Sequence, residues 1–237
     1  MLLKNFLLIH YDKTSLDIES NPILDKNYLQ IQDKCFYWMI NQLNKFYPNS
    51  KIHILTNKNI NINGCYIHKK NIPNNHNAKF WVYSTILEPV MYLDCDIKIN
   101  RPFSIEDLTT NTPFKLYQKS NINLSGLSND YNFEIYNAGC IYIKEPNQKI
   151  TEELQKLEKE HFNDKKKLKS IKLWPFNDEY ALSIYIKNHN WIFEESLVSV
   201  PFYAKNDILK MAQSIHYTGI YAKEKLKQEM TKNIKLW

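Results

Sequence analysis

The sequence has 237 residues, enough to bury one sizeable core and near the upper end of what a single domain holds. Apolar residues make up 43% of it and aromatic residues 14%, which excludes a disordered chain. The 31 basic and 25 acidic residues leave a net charge of +6, but Arg101 is the only arginine. Because proteins that read nucleic-acid bases depend on arginine, this composition argues against nucleic-acid binding and favours a small anionic ligand or an anionic surface.

The cysteines and the amino terminus indicate an intracellular protein. The four cysteines are widely scattered and form no C-x-x-C pair, which argues against a zinc knuckle or a compact disulfide framework. The opening MLLKNFLLIHYD contains only a short apolar run, too short for a signal peptide or a membrane span. We therefore expect a cytoplasmic location, no transmembrane segment, and a first buried strand at this point.

The first hundred residues alternate between strand and helix patterns. Apolar residues recur at helical spacing over residues 24–46, and KIHILTN and CYIHK follow as strands. NAKFWVYSTILEP predicts a helix that stops at Pro89, and VMYLDCDIKI predicts one strand that is buried at first and polar at its end. This order predicts an α/β protein with a mostly parallel sheet and helices on both faces. Ligands of such sheets bind beyond the carboxyl ends of the strands.

The second half has a less regular pattern. PFKLYQKS and FEIYNAGCIYIK predict strands, with a polar loop over residues 121–132 between them. Helices are predicted over residues 151–162 and within WPFNDEYALSIYIKNH. Near the C-terminus, one helical stripe predicts packing against the body of the protein; its residues are Ala222, Leu226, Met230, Ile234 and Trp237. The basic residues around that stripe leave contact with a membrane surface as the alternative.

Asp94 and Asp96 are the strongest chemical signal in the chain. Four apolar residues, VMYL, lead directly into Asp94, so the pair lies where a buried strand emerges at the ligand-binding edge of the sheet. The turn after a strand can bring two such carboxylates to one cation. A chain of this length contains the spacing by chance about half of the time, so a pair of surface acids flanking a turn is the alternative. The buried strand before the pair favours a metal site.

Four ordered segments are similar to those of the GT-A glycosyltransferases, specifically family eight, which includes glycogenin and bacterial lipopolysaccharide galactosyltransferases. The segments are MYLDCDIKINRPF, IYNAGCIYI, WPFNDEYAL and IHYTGIYAK, and together they span most of the chain. The resemblance implies a GT-A fold and metal-dependent transfer of a hexose from a nucleotide-diphosphate sugar to an acceptor that the sequence does not identify, with retention of configuration. It also implies a single domain, in which residues 1–100 bind the nucleotide and residues 101–237 hold the donor sugar and the acceptor.

The resemblance implies a metal centre of three residues. Asp94 would contact the donor's ribose and the metal, Asp96 would chelate the metal, and His216 would be the third ligand. This set of ligands suits Mn²⁺, with Mg²⁺ as the alternative, and diphosphate oxygens would complete the coordination. The cation would stabilise the negative charge that develops on the departing nucleoside diphosphate. Taken alone, His216 would more often be an ordinary surface or core histidine.

The resemblance also implies contacts with the donor, expected to be UDP-glucose or UDP-galactose. The residues expected near the donor, besides Asp94, are Tyr11, Asp12, Lys79, Asn137, Ala138, Gly139, Gly219 and Lys223. Tyr11 could stack on the uracil ring and Asp12 could accept a hydrogen bond, although a strand-ending turn explains Asp12 equally well. Similarly, Gly139 could simply shape a bulge.

The chain departs from the family pattern at two positions. Glu179 follows Asp178 where the family commonly has Gln, and both would lie near the reactive carbon of the sugar. A carboxylate there could act as a nucleophile or stabilise an oxocarbenium-like transition state. The alternative is that both acids favour the first turn of a helix. Ala222 takes the place of the family's phosphate-binding lysine, and Lys223 follows one residue later.

Two other functions stay open on the sequence. One is an inactive relative that binds nucleotide sugars without turnover, which the departures at Ala222 and Glu179 allow. The other is a haloacid-dehalogenase-like phosphatase, since these enzymes also carry Asp-x-Asp after a buried strand. Such phosphatases have Thr or Val at the fourth position after the first Asp, where this chain has Lys98, and their motif usually opens the domain.

Overall fold

The computed structural model describes residues 3–11, 26–73, 76–119, 133–162, 177–218 and 220–234. The strands in these ranges are β1 (Asn5–His10), β2 (Lys51–Thr56), β3 (Cys65–Lys69), β4 (Val90–Leu93), β5 (Ile97–Ile99), β6 (Phe114–Leu116), β7 (Cys140–Ile143), β8 (Val200–Pro201) and β9 (Ser214–His216). The α-helices are α1 (Lys26–Phe46), α2 (Val82–Thr85), α3 (Ile105–Leu108), α4 (Gln148–Phe162), α5 (Asn177–Asn188), α6 (Asn206–Met211) and α7 (Ile220–Ile234), and a 3₁₀ helix covers His76–Trp81.

The larger sheet has the strand order β3-β2-β1-β4-β7-β6. Its pairs β3-β2, β2-β1 and β1-β4 are parallel, while β7 runs antiparallel to both β4 and β6. The chain is therefore α/β with a mixed, mostly parallel sheet, and the predicted fold class is confirmed.

Strand β1 shows why this sheet is buried on both sides. Successive side chains of a strand point to opposite faces, and both faces of β1 are apolar. Phe6 and Leu8 pack in one core cluster, which includes Met39 of helix α1. Leu7 and Ile9 pack in the other, which helices α4 and α5 complete. The continuous apolar run FLLI thus corresponds to a central strand with helices on both faces.

The prediction of one strand over VMYLDCDIKI is wrong. Strand β4 ends at Leu93, residues 94–96 form a turn, and β5 begins at Ile97 in a second sheet of order β5-β9-β8. The polar carboxylates interrupt the apolar run because they leave the core where the chain changes sheets. The aspartate pair therefore lies in a turn that joins two sheets.

Other predicted elements differ mainly in extent. The segment before Pro89 is a 3₁₀ helix followed by the short helix α2, which ends four residues earlier at Thr85. Of FEIYNAGCIYIK, only Cys140–Ile143 forms a strand, and before it Tyr136 makes an isolated bridge to Lys119. The predicted polar loop over residues 121–132 lies outside the described residues.

Helix α7 packs against the body of the protein, as its apolar stripe predicts. Ala222, Leu226 and Met230 are all at most 6% exposed and share a core cluster with Cys35 of helix α1. No disulfide joins the four cysteines, all of which lie in the described ranges. Among the residues that the structure describes, no helix combines the length and apolarity that crossing a bilayer requires.

Gln42 joins helix α1 to the second sheet. Its Nε2 donates a hydrogen bond to the Ile97 carbonyl at 3.1 Å, and its Oε1 accepts one from the Ile99 amide at 2.7 Å. This buried amide thereby satisfies two backbone groups of β5, the strand that follows the aspartate turn.

We expect Gln42→Leu to lower the free energy of unfolding by about 2–4 kcal/mol, because it leaves a buried amide and a buried carbonyl without partners. Urea unfolding followed by circular dichroism measures the change. The matched control is Gln148→Leu, which replaces an exposed glutamine and should cost less than about 0.5 kcal/mol. Equal losses in the two variants would contradict the bridging role of Gln42.

Candidate functional site

Backbone hydrogen bonds hold the turn that contains Asp94 and Asp96 on both sides. The Asp94 amide donates to the Gly139 carbonyl at 2.7 Å, which continues the β4-β7 ladder by one step. The Tyr217 amide donates to the Asp96 carbonyl at 2.9 Å, next to the pairing of β5 with β9. Each aspartate is thus fixed to a different sheet, and the turn brings their side chains together.

His216 completes a group of three side chains that could hold a metal ion. It is paired with Ile97 in the second sheet and is 2% exposed. Its Nε2 lies 3.1 Å from Asp96 Oδ1 and 3.7 Å from Asp94 Oδ2, and one donor atom from each residue lies within 4.8 Å of the others. Ligands about 2.1 Å from one cation lie at most about 4.2 Å apart. The two distances from His216 Nε2 are within this span, and the 4.8 Å limit of the whole group exceeds it slightly, so a single divalent ion requires only a small contraction.

Two neighbours hold the carboxylate of Asp94. Lys79 in the 3₁₀ helix donates from Nζ to Oδ2 at 2.9 Å, and the Tyr92 hydroxyl donates to Oδ1. Burial raises the pKa of the Tyr92 phenol well above its ordinary value, so the hydroxyl keeps its proton and remains a donor. Tyr92 precedes Asp94 by two residues, and in a strand that spacing puts both side chains on the same face.

Lys79 is the cation at the centre of this acidic cluster. Its Nζ also lies 3.4 Å from Asp178 Oδ2. Burial alone would lower the pKa of the Lys79 ammonium, but Asp94, Asp178 and Glu179 together raise it well above its ordinary value. Burial conversely raises the pKa of Asp178, against the opposing effect of Lys79. The site therefore combines a fixed positive charge with carboxylates in a partly dehydrated environment.

Asp178 and Glu179 lie in the first turn of helix α5, where the helix dipole favours acidic residues, yet both are buried. Glu179 Oε1 accepts a hydrogen bond from Asn137 Nδ2 at 2.7 Å. Asn137 Oδ1 in turn accepts one from the Gly139 amide at 2.9 Å. First-turn acids that only oppose a helix dipole are normally solvated, so the dipole alone does not account for the burial of these two carboxylates.

Gly139 makes direct room for His216. A Cβ atom built on Gly139 would overlap Cε1 of the imidazole ring and lie 2.8 Å from its Nδ1. The glycine is therefore required for close approach of the ring, and no unusual backbone angle is involved. Ala138, beside it, is 2% exposed.

A cavity of about 270 Å³ opens beside Asp94 and Asp96, while His216 lies behind them and does not line it. Its walls include Asp94, Asp96 and Lys79, together with Tyr11 just after β1. The lining residues other than these are Ile9, His10, Gln32, Asp33, Cys35, Phe36, Lys58, His76, Tyr92 and Cys95. The cavity lies at the carboxyl ends of β1 and β4, where an α/β sheet binds ligands.

The other residues predicted to contact a donor divide into two groups. Asn137, Ala138, Gly139, Asp178 and Glu179 are not among the residues that line this cavity, and those of them with a side chain are at most 7% exposed. Asp12, Gly219 and the side chain of Lys223 lie outside the described part of the chain.

Sequence reasoning missed two features of the site. Tyr92 is not among the predicted residues, although its i−2 spacing from Asp94 is a usable signal. The contribution of helix α1 was also missed: Asp33 lies 3.1 Å from His10 Nε2, and Phe36 stacks on the His10 ring at 4.2 Å between centroids. Only the three-dimensional packing shows that this helix forms one wall of the cavity.

Known structures share this fold. A glycosyltransferase involved in glycosylation of the major capsid of PBCV-1 matches with a TM-score of 0.54 and 11% identity, over 95% of this chain and 99% of the other. The galactosyltransferase LgtC, solved with donor and acceptor sugar analogues, matches with a TM-score of 0.51 and 12% identity, over 94% of each chain. The apo form of GlyE from Streptococcus pneumoniae TIGR4 matches with 0.54 and 14%, over 92% of this chain and 55% of GlyE.

These likenesses establish the class of fold. The chain has the fold of these glycosyltransferases, the GT-A fold that the sequence resemblance implied. A variant of LgtC with an active-site glutamine replaced by glutamate matches as well, with a TM-score of 0.50 and 11% identity over 96% of this chain and 95% of the other. No protein-family model matches the sequence, and no curated protein matches it.

We expect Gly139→Ala to weaken Mn²⁺ binding by roughly 10–100-fold while the protein stays folded, because the added methyl displaces His216 from the two aspartates. Isothermal titration calorimetry measures the affinity. Gly64→Ala is the matched control: Gly64 has φ +77° and open space around it, so this variant should lose about 1–2 kcal/mol of stability but bind Mn²⁺ normally. Unchanged Mn²⁺ affinity in Gly139→Ala would remove His216 from the ligand set.

Proposed function

We propose that this protein is a metal-dependent hexosyltransferase that transfers a sugar from a nucleotide-diphosphate donor, UDP-glucose or UDP-galactose, to an acceptor with retention of configuration. One observation carries the proposal. Asp94, Asp96 and His216 converge beside a cavity at the carboxyl ends of the parallel strands, in a chain with the GT-A fold. Such a site can hold a divalent cation against a diphosphate that lies in the cavity.

The cavity supports a nucleotide role for the first half of the chain. Every residue that lines it falls between Ile9 and Asp96, within the proposed nucleotide-binding half, residues 1–100. Tyr11 offers an aromatic ring for a uracil base, and His10 and Asp33 offer polar groups at the same wall. Residues 101–237, in this proposal, contribute the donor-sugar and acceptor side of one domain.

The charges of the site suit a donor whose leaving group is an anion. Mn²⁺, or Mg²⁺, held by Asp94, Asp96 and His216 would supply the Lewis acid that stabilises a nucleoside diphosphate as it departs. Lys79 adds a fixed positive charge that is 14% exposed and lines the same cavity. Because this ammonium is already oriented by Asp94, it needs no reorganisation when negative charge develops nearby.

Asp178 and Glu179 are the proposed catalytic carboxylates. Glu179 is oriented by Asn137, and Asp178 is joined to the metal-ligand group through Lys79. A carboxylate so oriented can stabilise an oxocarbenium-like sugar or attack it from the face opposite the leaving group. Asn137, Ala138 and Gly139 are proposed to line the donor sugar, and Gly219 and Lys223 to contact its diphosphate.

Turnover separates this proposal from its two alternatives. The protein is incubated with Mn²⁺ and a panel of nucleotide sugars, and release of the nucleoside diphosphate is measured with and without a chelator. We expect release from one UDP-hexose, lost on chelation. Binding of a donor without release under any metal would make the chain an inactive relative. Hydrolysis of phosphate monoesters without release from any nucleotide sugar would support the phosphatase alternative, which the GT-A fold disfavours.

We expect Asp96→Ala to abolish Mn²⁺-dependent donor binding and nucleoside diphosphate release while leaving the thermal unfolding midpoint nearly unchanged, because Asp96 lies in a turn and not in the core. Calorimetry with donor and Mn²⁺ measures the first effect and differential scanning fluorimetry the second. Asp207→Ala, at an exposed position of helix α6, is the matched control and should behave like the unaltered protein. Full activity of Asp96→Ala would sink the proposed mechanism.

A further inference from the structure

Both ends of the Asn137 side chain are engaged inside the protein. The side chain is 7% exposed, and its Nδ2 donates to Glu179 Oε1 at 2.7 Å, across 42 positions of sequence. Its Oδ1 accepts from the Gly139 amide at 2.9 Å, and its backbone amide donates to the Gln118 carbonyl at 2.9 Å. The residue is therefore held at three points, and one of them is a proposed catalytic carboxylate.

A second contact fixes the same segment to helix α5. Ser183 Oγ accepts a hydrogen bond from the Tyr136 amide at 2.9 Å and donates one to the Glu179 carbonyl at 2.6 Å. The backbone of Glu179 is thus tied to Tyr136 through Ser183, while its carboxylate is tied to Asn137. With its main chain anchored by Ser183, the Asn137 amide holds one oxygen of the Glu179 carboxylate, Oε1, in a defined direction.

The other end of Asn137 leads to the metal-ligand group. The Gly139 amide donates a hydrogen bond to Asn137 Oδ1, and Gly139 itself lies against the His216 ring. The Gly139 carbonyl accepts a hydrogen bond from the Asp94 amide at 2.7 Å. The Asn137 side chain therefore connects Glu179 to Gly139, the residue that contacts both Asp94 and His216. Replacing the donor group of Asn137 should therefore change the orientation of the Glu179 carboxylate without removing a candidate metal ligand.

We propose that Asn137 is a positioning residue, which holds the Glu179 carboxylate in a fixed orientation relative to the Asp94, Asp96 and His216 group. This inference rests on the proposed transferase function. A neutral amide donor suits the task, because a buried carboxylate needs a hydrogen-bond donor, and the carbonyl end of the same group can still accept from Gly139. A carboxylate at position 137 would keep the second bond and lose the first.

The test first removes the donor from the Asn137–Glu179 hydrogen bond. Asn137→Asp sets two carboxylates against each other while the Gly139 amide keeps its acceptor. We expect kcat for donor turnover to fall about 100-fold, with KM for the donor and affinity for Mn²⁺ within about 3-fold, since misplacing a reacting group by about 1 Å costs this much. The unfolding midpoint should fall by roughly 5 °C or more.

The double variant Asn137→Asp with Glu179→Gln restores a donor and an acceptor with reversed roles. Compared with Glu179→Gln alone, the double variant should change kcat by less than about 3-fold. Compared with Asn137→Asp alone, it should recover the unfolding midpoint, because the amide introduced at position 179 donates to the carboxylate introduced at position 137. Asn147→Asp is the matched control: Asn147 is exposed, caps helix α4 through its Oδ1, and tolerates a carboxylate there.

The outcomes separate this proposal from the proposed function. If Asn137→Asp lowers kcat equally in the unaltered protein and in the Glu179→Gln variant, or raises KM in place of lowering kcat, the effect of Asn137 comes only from its proposed contact with the donor sugar, and the positioning role is wrong. If the unaltered protein releases no nucleoside diphosphate from any donor, the proposed function is wrong. The comparison of unfolding midpoints needs no turnover. If the double variant does not recover the midpoint lost in Asn137→Asp, the hydrogen-bond coupling between positions 137 and 179 is wrong, whatever the activity of the protein.

Discussion

The ion pairs of Lys79 are the interaction on which the site depends. Asp94, Asp178 and Glu179 all act electrostatically on this one ammonium group, in surroundings where an uncompensated carboxylate is costly. Lys79 can reach Asp94 and Asp178 because the 3₁₀ helix brings it beside the end of β4 and the start of α5. Carboxylates from separate parts of the chain can therefore lie together before any metal binds.

The second requirement is the passage of the chain from one sheet to another at residues 94–96. A single straight strand would direct Asp94 and Asp96 to the same face but leave His216 with no defined position. Because β5 pairs with β9, His216 lies opposite Ile97, one residue after Asp96. Gln42 stabilises β5, so the helix that forms one wall of the cavity also supports the turn that contains Asp94 and Asp96.

Local patterns predicted the elements better than their boundaries. The apolar run of β1 and the helical period of α1 predicted a parallel α/β sheet, because consecutive apolar residues in a strand indicate burial on both faces. The break within VMYLDCDIKI was not predictable, because it depends on pairing between Ile97 and His216, 119 positions later. The same limit hid the Asn137–Glu179 hydrogen bond. The resemblance implied a donor-sugar contact for Asn137 and a catalytic role for Glu179, and the fold joins the two side chains by a hydrogen bond.

The glutamate at position 179 has a physical consequence that a glutamine there would not have. Its charge raises the negative potential around Lys79 and must be offset by nearby hydrogen-bond donors and cations. Asn137 supplies one such donor, and Lys79 supplies a cation. A glutamine could exchange donor and acceptor roles with Asn137, whereas a carboxylate accepts only, so it fixes the direction of this hydrogen bond. The carboxylate therefore presents an oriented negative charge, which under the proposed function would stabilise a developing positive charge on a sugar ring.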